Sequence, residues 1–313
     1  MHSEKQYIDL YRECREQICA HSAAPLNAVR DAAFEQFERQ GFPSRKVERY
    51  KYTSVDELFA PDYGVNVNRL EIPVDPYKAF RCDVPNLSTS LYFIVNDQFR
   101  AALQPKENLP EGVVVDSLAA YAQANPQFVA DHYAQLAHAD EDGITALNTM
   151  LAQDGLLVYV KRGVKVDRTI QVINILRSDV PLMVNRRVLI VMEEGAEAKL
   201  LFCDHAADDR EFLATQVIEA YVGRNASLDL YCMEETHYKN TRVSNVYIEQ
   251  QADSRVNHNV ITLHNGTTRN RLDVLLKGEG AECWCNGCVI ADKAQHIDNN
   301  TLIDHQVPHC TSH

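Results

Sequence analysis

The 313-residue sequence lacks any run of about 18 apolar residues, the length that a membrane-spanning helix requires. The first residues, Met1 to Lys5, are followed by no apolar stretch of the kind found in secretory signal peptides. The cysteine count is nine, an odd number, which together with the missing export signal is typical of reduced thiols in a cytoplasm. We therefore expect a cytoplasmic protein without a membrane anchor.

Glycine is also scarce, with 12 residues in the whole chain. The sequence contains no G-x4-G-K-[ST] phosphate loop, no G-x-G-x-x-G dinucleotide motif and no G-x-S-x-G nucleophile motif. The segment Lys277 to Gly280 has two glycines at the wrong spacing, and Glu279 between them would repel phosphate. These absences argue against nucleotide hydrolysis, dinucleotide-dependent chemistry and serine-hydrolase chemistry.

Positive charge is in the minority, because 31 Lys and Arg face 44 Asp and Glu and give a formal net charge of −13. An acidic surface disfavours nucleic acid, whose binding depends on neutralising phosphates, and it disfavours anionic lipid. We therefore expect neither nucleic acid nor a membrane among the partners.

Helical periodicity is confined to the first part of the chain. An apolar stripe at helical spacing predicts a first helix, carried by Tyr7, Leu10, Tyr11, Cys14 and Ile18. A second helix is predicted from Pro25 to the stop signal at Gly41 and Pro43. Residues 61–90 are rich in proline and predict a linker or irregular packing. Further helices are expected over 116–124 and 127–153, with an interruption at Gly143.

From Leu156 onward the sequence consists of short β-rich runs separated by Gly, Asn or Asp. Predicted strands cover 156–160, 170–175, 188–192, 199–203, 216–222, 228–233, 243–248, 256–263, 272–276 and 283–290, after a first strand at 91–95. Some runs alternate apolar and polar residues, and others are apolar throughout, as expected where both faces are covered. We predict three parts, with an N-terminal helical region and linker over 1–90, a mixed α/β segment over 91–155 and a β core over 156–313.

A turn followed by a strand recurs within this core. The turns centre on Ala196, Ala226, Asp253 and Ala281, which are 30, 27 and 28 residues apart. A period of this size is typical of stacked repeats, in which one unit cannot bury its own apolar face. Because the unit is β and not helical, the sequence predicts a β-solenoid, which is a stiff wall suited to binding partners.

The densest group of metal-ligand residue types lies near the C-terminus. It comprises His296, Asp298, His305, Cys310 and His313, with His309 beside Cys310. Imidazole, thiolate and carboxylate suit zinc or iron. Stacked coils of a solenoid also align His and Asn side chains for structural reasons alone. We favour the structural interpretation and retain these residues as weak metal candidates.

Other chemistry-bearing residues favour structural roles. Cys283, Cys285 and Cys288 lack a second Cys-x2-Cys pair for a zinc site, so we expect them to pack in the core. His237, His258 and His264 have no carboxylate at legible spacing. The pairs Glu193-Glu194 and Glu234-Glu235 lie at predicted turns, where we expect solvated charges rather than acid–base catalysis.

Several segments taken together resemble one known family. They are Leu26-Asn27-x2-Arg30-x2-Ala33-Phe34-x2-Phe37-x3-Gly41-Phe42-Pro43, Glu48-x-Tyr50-Lys51-Tyr52-Thr53-x4-Glu57-Leu58, Ala146-Leu147-Asn148-x5-Asp154-Gly155, Val164-x-Val166, Gly278-x-Gly280-Ala281 and Gln295-His296-x-Asp298-Asn299-x-Thr301-x3-His305. The combination resembles the SufB/SufD family of iron–sulfur cluster assembly scaffold proteins, over nearly the whole chain. The Tyr50 to Thr53 element favours the SufD branch.

The resemblance implies a mainly β protein with an α-helical N-terminal region and a right-handed parallel β-helix. It implies a non-catalytic subunit that pairs with a SufB-like partner and works with a SufC-like ABC ATPase. No cofactor is firmly bound by such a chain alone, and a nascent iron–sulfur cluster forms at the interface of the complex. Family members continue past the position of His313, and their Cys-Ser-His element and ATPase-binding region lie there, so the resemblance implies a chain truncated at its C-terminus.

Two other functions are compatible with parts of the sequence. One is a β-helix enzyme acting on polysaccharide, although such enzymes are usually secreted. The other is a metalloenzyme that uses His296, Asp298, His305 and Cys310.

Overall fold

The computed structural model describes residues 3–79, 89–104 and 109–313, so residues 80–88 of the predicted linker lie outside the described part. Helices occupy α1 (Glu4–Ala20), α2 (Ala24–Ala28), α3 (Arg30–Gln40), α4 (Val55–Phe59), α5 (Pro76–Ala79), α6 (Leu118–Ala124), α7 (Pro126–Ala130) and α8 (Gly143–Leu151). Short 3-10 turns cover Glu48–Tyr50 and Ala101–Leu103. Among these described residues, no helix has the length and apolar character needed to cross a bilayer.

Strands alternate between two facing sheets. The first sheet contains β1 (Gly64–Val65), β4 (Val113–Ser117), β5 (Leu156–Val160), β7 (Leu182–Met192), β9 (Phe212–Val222), β11 (Asn240–Gln250), β13 (Thr267–Leu276) and β15 (His296–His305). The second contains β2 (Thr89–Val95), β3 (Gln98–Phe99), β6 (Thr169–Leu176), β8 (Glu197–Ala206), β10 (Ser227–Glu235), β12 (Arg255–His264), β14 (Glu282–Val289) and β16 (Thr311–Ser312). From β5 onward, successive strands change sheet, and the pairs among β5 to β16 are parallel. This is a β-solenoid of about five turns, as the sequence predicted.

The turns between coils stack in a column of left-handed backbone conformations. Gly195, Asn225, Asp253 and Gly280 all have φ between 55° and 74°. Each of the first three donates its amide to a carbonyl of the next turn, at 2.8 to 2.9 Å. Glycine, asparagine and aspartate tolerate this conformation better than other residues, which explains why they occupy this position in each turn.

The strand register corrects one anchor of the predicted repeat. Glu197, Ser227, Arg255 and Glu282 are aligned in β8, β10, β12 and β14, so Ser254 and not Asp253 is the counterpart of Ala226. The steps are therefore 30, 28 and 27 residues. Ser254 is buried like the alanines, whereas Asp253 is the exposed left-handed residue just before it.

Apolar side chains from both sheets fill the space between them. Alternate residues of each strand point inward, as in Leu228 and Leu230 of β10 and Val246 and Ile248 of β11. At about 25 cal/mol per Å², burial of each such side chain stabilises the fold by about 1.5–3 kcal/mol. The interior is thus a packed core over most of its length.

The N-terminal helices cover the outer face of the first sheet. Met183, Leu213 and Val243 on that face join a core with α1, α3 and α8, and Leu157 and Leu189 join one with α6 and α7. Because both faces of this sheet are covered, all residues of β7 are buried. This explains the continuous apolar runs in the sequence.

The prediction of helix over 127–153 is wrong for the middle of this segment. Helix α7 ends at Ala130, residues 131–142 form turns, and α8 starts anew at Gly143. The Asp142 carboxylate accepts hydrogen bonds from the amides of Ile144 and Thr145 and so caps α8. A Cβ at position 143 would lie 2.0 Å from the Gly41 carbonyl oxygen, so only glycine fits at the first position of α8.

Candidate functional site

Four charged side chains form a cluster inside the solenoid, which we call the interior ionic cluster: Arg186, Asp204, Glu234 and Arg242. Asp204 lies between the two arginines, 2.7 Å from Arg186 Nη1 and 2.9 Å from Arg242 Nε. Glu234 Oε2 lies 3.7 Å from Arg242 Nη1. All four side chains are 6% exposed or less. The cluster thus places two arginines against two carboxyl groups inside the solenoid.

The carboxylates of this cluster differ in their protonation. Burial raises the pKa of Glu234 from its usual 4.5 to about 7, although Arg242 and the Thr268 hydroxyl oppose this rise. Burial also acts on Asp204, but Arg186 and Arg242 outweigh it and lower the pKa of that carboxyl. The expectation that the Glu234-Glu235 pair would be solvated is therefore wrong for Glu234, which points inward because side chains alternate along a strand.

A cavity of about 110 Å³ lies beside the cluster, between the later turns. Cys232, Arg242, His258, Asn270 and Cys285 line it, with other residues of β11 to β15. His258 is 3% exposed, and its Nε2 has no hydrogen-bond partner among the described residues. Burial, assisted by Arg242, lowers the pKa of His258 to about 4, so the imidazole is neutral. The cavity thus offers a neutral imidazole and thiols in one place.

A second buried ion pair joins the solenoid to the helices and turns that pack on its first sheet (α1 to α3 and α6 to α8), which we call the helical cover. Arg187 Nη2 of β7 lies 2.6 Å from Glu219 Oε2 of β9, and both side chains are fully buried. The Glu219 carboxylate also accepts hydrogen bonds from the amides of Ala134, Leu136 and Ala137 at 2.9 to 3.1 Å. One carboxylate therefore fixes the turns between α7 and α8 on the sheet.

Farther along the same face, the segment Glu48–Tyr50 is held by two arginines of β13. The Arg269 guanidinium lies 3.7 Å from the centre of the Tyr50 ring, and its Nη2 donates to the Arg49 carbonyl at 2.7 Å. Arg271 Nη1 lies 3.2 Å from Asp142 Oδ2, which also accepts the Tyr50 hydroxyl proton. These cations are committed to the protein's own groups.

The structure brings His296 and Asp298 together at the start of β15. Both contact Thr53, which is 2% exposed. The Thr53 hydroxyl lies 2.5 Å from Asp298 Oδ2 and 3.2 Å from His296 Nε2, and Arg269 Nε lies 3.7 Å from the same Asp298 oxygen. Their contacts therefore link the N-terminal region to a late turn of the solenoid.

Replacing Thr53 by valine is expected to lower the free energy of unfolding by about 1 kcal/mol, because the half-buried His296 and Asp298 side chains lose the hydroxyl that they contact. Urea denaturation followed by circular dichroism measures this loss. Thr53→Ser, which keeps the hydroxyl, is the matched control and should retain most of the stability. Equal stability of the two variants would show that the link contributes nothing.

The other three metal candidates lie elsewhere. His305 is exposed at the far end of β15, where its Nε2 lies 3.0 Å from Ser312 Oγ. Cys310 Sγ donates to the Gly278 carbonyl at 3.3 Å, and the His313 ring stacks on Trp284.

A strand rises about 3.3 Å per residue, so His296 and His305 are about 30 Å apart and cannot share an ion. Among the described residues, no group of three or more His, Cys, Asp or Glu side chains is arranged to hold a metal ion. The structure thus places these candidates in separate settings, and a ligand role for them stays a prediction.

The three cysteines of β14 differ in their surroundings. Cys283 is fully buried, Cys285 is half-buried beside the cavity, and Cys288 is exposed. The expectation of core packing is confirmed for Cys283 and is wrong for Cys288, which lies outside the part of β14 that pairs with β16.

Two family profiles match adjoining parts of the chain. The profile described as SufBD protein N-terminal region matches residues 1–172, and that described as SUF system FeS cluster assembly, SufBD core domain, matches residues 174–313. The chain belongs to the SufB/SufD family. The boundary between the two profiles falls within β6 of the solenoid.

Curated relatives of this SufB/SufD family chain are distant. The iron-sulfur cluster assembly protein SufB of Bacillus subtilis is 23% identical over 77% of this chain and 53% of its own length. The corresponding SufD of Bacillus subtilis is 23% identical over 96% and 68%, and the chloroplastic protein ABCI7 of Arabidopsis thaliana is 23% identical over 74% and 49%. The chain thus spans about half the length of two of these relatives. Because SufB and SufD match at equal identity, assignment to the SufD branch stays a prediction.

The residues that carry the SufB/SufD resemblance hold the helical cover on the solenoid. Arg30 is fully buried and donates to the Met150 carbonyl at 2.7 Å. Asn148 donates to the Arg186 carbonyl at 3.1 Å, and Asp154 accepts from the Ser117 hydroxyl at 2.8 Å. A Cβ at Gly155 would lie 2.2 Å from the Arg187 carbonyl oxygen, so only glycine permits this approach. These four motif residues therefore have structural contacts.

The sequence analysis did not identify the charged residues that form buried ion pairs in this family member, among them Arg187, Asp204, Glu219 and Arg242. One signal was present for Glu219, which lies within a strand between Ile218 and Ala220. A charge inside such a run is costly unless it is paired, so it predicts a buried partner. The sequence alone gives no means of choosing that partner.

Proposed function

We propose that this chain is a SufD-type, non-catalytic scaffold subunit that acts in the cytoplasm in iron–sulfur cluster assembly. It pairs with a SufB-like subunit and works with a SufC-like ABC ATPase. The nascent iron–sulfur cluster is the cargo of the complex, formed at the interface, and is not a resident cofactor of this chain. The observation that carries the proposal is the match of both SufB/SufD profiles to a continuous solenoid with its helical cover.

The pairing of the buried charges supports a non-catalytic role. The buried arginines of the solenoid, which a catalytic site for an anionic substrate would need, are occupied by Asp142, Asp204, Glu219 and Asp298. The polysaccharide enzyme and the metalloenzyme are thus less well supported than the scaffold.

The packing of the solenoid supports a mechanical role. Parallel strands continue from turn to turn in register, and ion pairs lock β7 to β9 and the helical cover to both. Such a rod moves as a body, because close-packed interiors transmit displacement rather than absorb it. A displacement imposed by the ATPase at one part of the complex would therefore reach the interface with the SufB-like partner.

Co-purification tests the proposed complex. The complete gene product, tagged and co-expressed with SufB-like and ABC ATPase subunits of the same organism, is expected to retain the SufB-like subunit in a fixed ratio. The ATPase is expected in the same fraction on size-exclusion chromatography.

The control addresses charge, since a chain of net charge −13 can bind cationic proteins without specificity. Washing at about 1 M salt shortens the screening length to about 3 Å and removes such contacts. Loss of both subunits in this wash, or their absence throughout, would contradict the proposal.

A further inference from the structure

Two thiols lie side by side on β14. Cys283 and Cys285 are two residues apart in a strand, so their side chains point to the same face. Their sulfur atoms are 3.4 Å apart, which is about van der Waals contact. Cys283 is fully buried, whereas Cys285 is half-buried and reaches the cavity. This is a pair of thiols held in contact by the fold.

The two thiols are not equivalent. A hydrogen bond from Cys283 lowers the pKa of the Cys285 thiol, in spite of its partial burial. The same contact, together with burial, raises the pKa of Cys283. Because the thiolate is the reactive form of cysteine and only Cys285 lines the cavity, Cys285 is the candidate nucleophile and Cys283 the candidate resolving thiol.

The cavity gives a small oxidant access to this pair. A cavity needs about 10–15 Å³ to hold one water, so this cavity of about 110 Å³ accommodates hydrogen peroxide. His258 is aligned directly opposite Cys285 in the pairing of β12 with β14. Its buried Nε2 has no partner among the described residues, and the side chain lines the same cavity, where this nitrogen can hydrogen-bond to a polar guest.

We propose that Cys283 and Cys285 form a reversible disulfide site that hydrogen peroxide oxidises. The Cys285 thiolate attacks one peroxide oxygen, the O–O bond breaks, and hydroxide leaves as Cys285 becomes a sulfenic acid. The Cys283 sulfur then attacks the Cys285 sulfur, and the S–O bond breaks with release of water. In total two thiols and one peroxide give one disulfide and two waters, so each sulfur loses one electron and peroxide gains two.

Closure of the disulfide would alter the strand. The Cα atoms of residues two apart in a strand are about 6.6 Å apart, near the upper limit of about 6.8 Å for disulfides. The bond itself is about 2.05 Å, so the sulfurs must approach and β14 must shorten locally. Cys285 N donates to the His313 carbonyl and His313 N donates to the Cys283 carbonyl, each at 2.9 Å. Oxidation is therefore expected to weaken the contact of residues 311–313 with β14.

Trp284 reports on this change, since it lies between the two cysteines and is the one tryptophan of the chain. Its ring stacks on His313 with centroids 5.5 Å apart. Oxidation is expected to change the tryptophan emission, and dithiothreitol is expected to restore it. No partner subunit is required for this response.

Alkylation after oxidation tests the proposal. The full chain is treated with hydrogen peroxide, quenched with catalase, denatured with N-ethylmaleimide present and digested with trypsin. Cleavage after Lys277 and Lys293 releases one peptide that contains Cys283, Cys285 and Cys288. We expect one adduct, on Cys288, in place of three, and all three after prior reduction.

Single-cysteine variants assign the bond. Cys288→Ser alters an exposed thiol and is expected to leave the disulfide and the emission change intact. Cys285→Ser is expected to abolish both, with folding checked by circular dichroism. Three adducts after oxidation, protection of Cys288, or added oxygen on Cys285 without loss of the Cys283 thiol would each overturn the proposal.

Discussion

Replacing Glu219 by alanine is expected to lower the free energy of unfolding by about 3–5 kcal/mol, the cost typical of breaking a buried ion pair. The change leaves the Arg187 guanidinium charged in a fully buried position. It also leaves the amides of Ala134, Leu136 and Ala137 without their acceptor. Urea denaturation followed by circular dichroism gives the loss.

An exposed pair provides the matched control. Arg255 Nε lies 3.2 Å from Glu282 Oε2, but the two side chains are 67% and 38% exposed. Glu282→Ala is therefore expected to cost less than about 1 kcal/mol. If Glu219→Ala costs no more than this control, the carboxylate does not hold the helical cover on the sheet. A double variant, Arg187→Met with Glu219→Gln, should recover part of the loss because it removes the stranded charge.

The second large effect is a dependence of stability on pH that comes from Glu234. Its pKa is about 7 in the folded chain, against an ordinary value of 4.5. Between these pH values the folded chain binds this proton and the unfolded chain does not, so a rise in pH favours unfolding. The contribution amounts to about 3 kcal/mol over the whole interval.

His258 acts in the opposite direction over part of this range. Its pKa is lowered from 6.5 to about 4, so unfolding takes up a proton between those values and stability rises with pH. The wild-type curve alone therefore mixes two effects. The difference between the wild type and Glu234→Gln isolates the carboxyl group, and we expect the relative stability of the wild type to fall by about 3 kcal/mol from pH 4.5 to pH 7.

The neighbouring Glu235 supplies the control for this experiment. It is exposed at the end of β10, so Glu235→Gln is expected to change the free energy of unfolding by less than about 0.5 kcal/mol. A difference between wild type and Glu234→Gln that stays constant with pH, or rises with it, would show that the fold does not raise the pKa of Glu234.

Much of the fold could be predicted because its signals are local. The stripe from Tyr7 to Ile18 lies on α1, and each predicted strand from residue 156 onward lies in an observed strand or overlaps it. Several predicted strands are shorter than the observed ones, because the observed strands continue through polar residues. Residues Asn185 to Arg187 belong to β7 because their side chains find partners in Asp204, Thr215 and Glu219, and a propensity argument treats them as strand breakers.

The candidate site was less predictable than the fold. His296, Asp298 and His305 share one short stretch of sequence, but an extended strand separates its ends by about 30 Å and turns alternate residues to opposite faces. Closeness in sequence therefore suggested a cluster that the strand pulls apart. The Cys283–Cys285 pair shows the opposite effect. Residues two apart in a strand point to the same face, so this spacing brings their side chains together.

What the sequence determined by itself is the coil and its period. Alternating apolar residues and turn residues at intervals of 27 to 30 encode a two-sheet solenoid, since each turn repeats the same local conditions. Only the tertiary structure decided which charges are buried and what they bind. Arg187 and Glu219 are 32 residues apart, and Thr53 and Asp298 are 245 apart, so their pairing depends on how coils stack and where the helical cover settles.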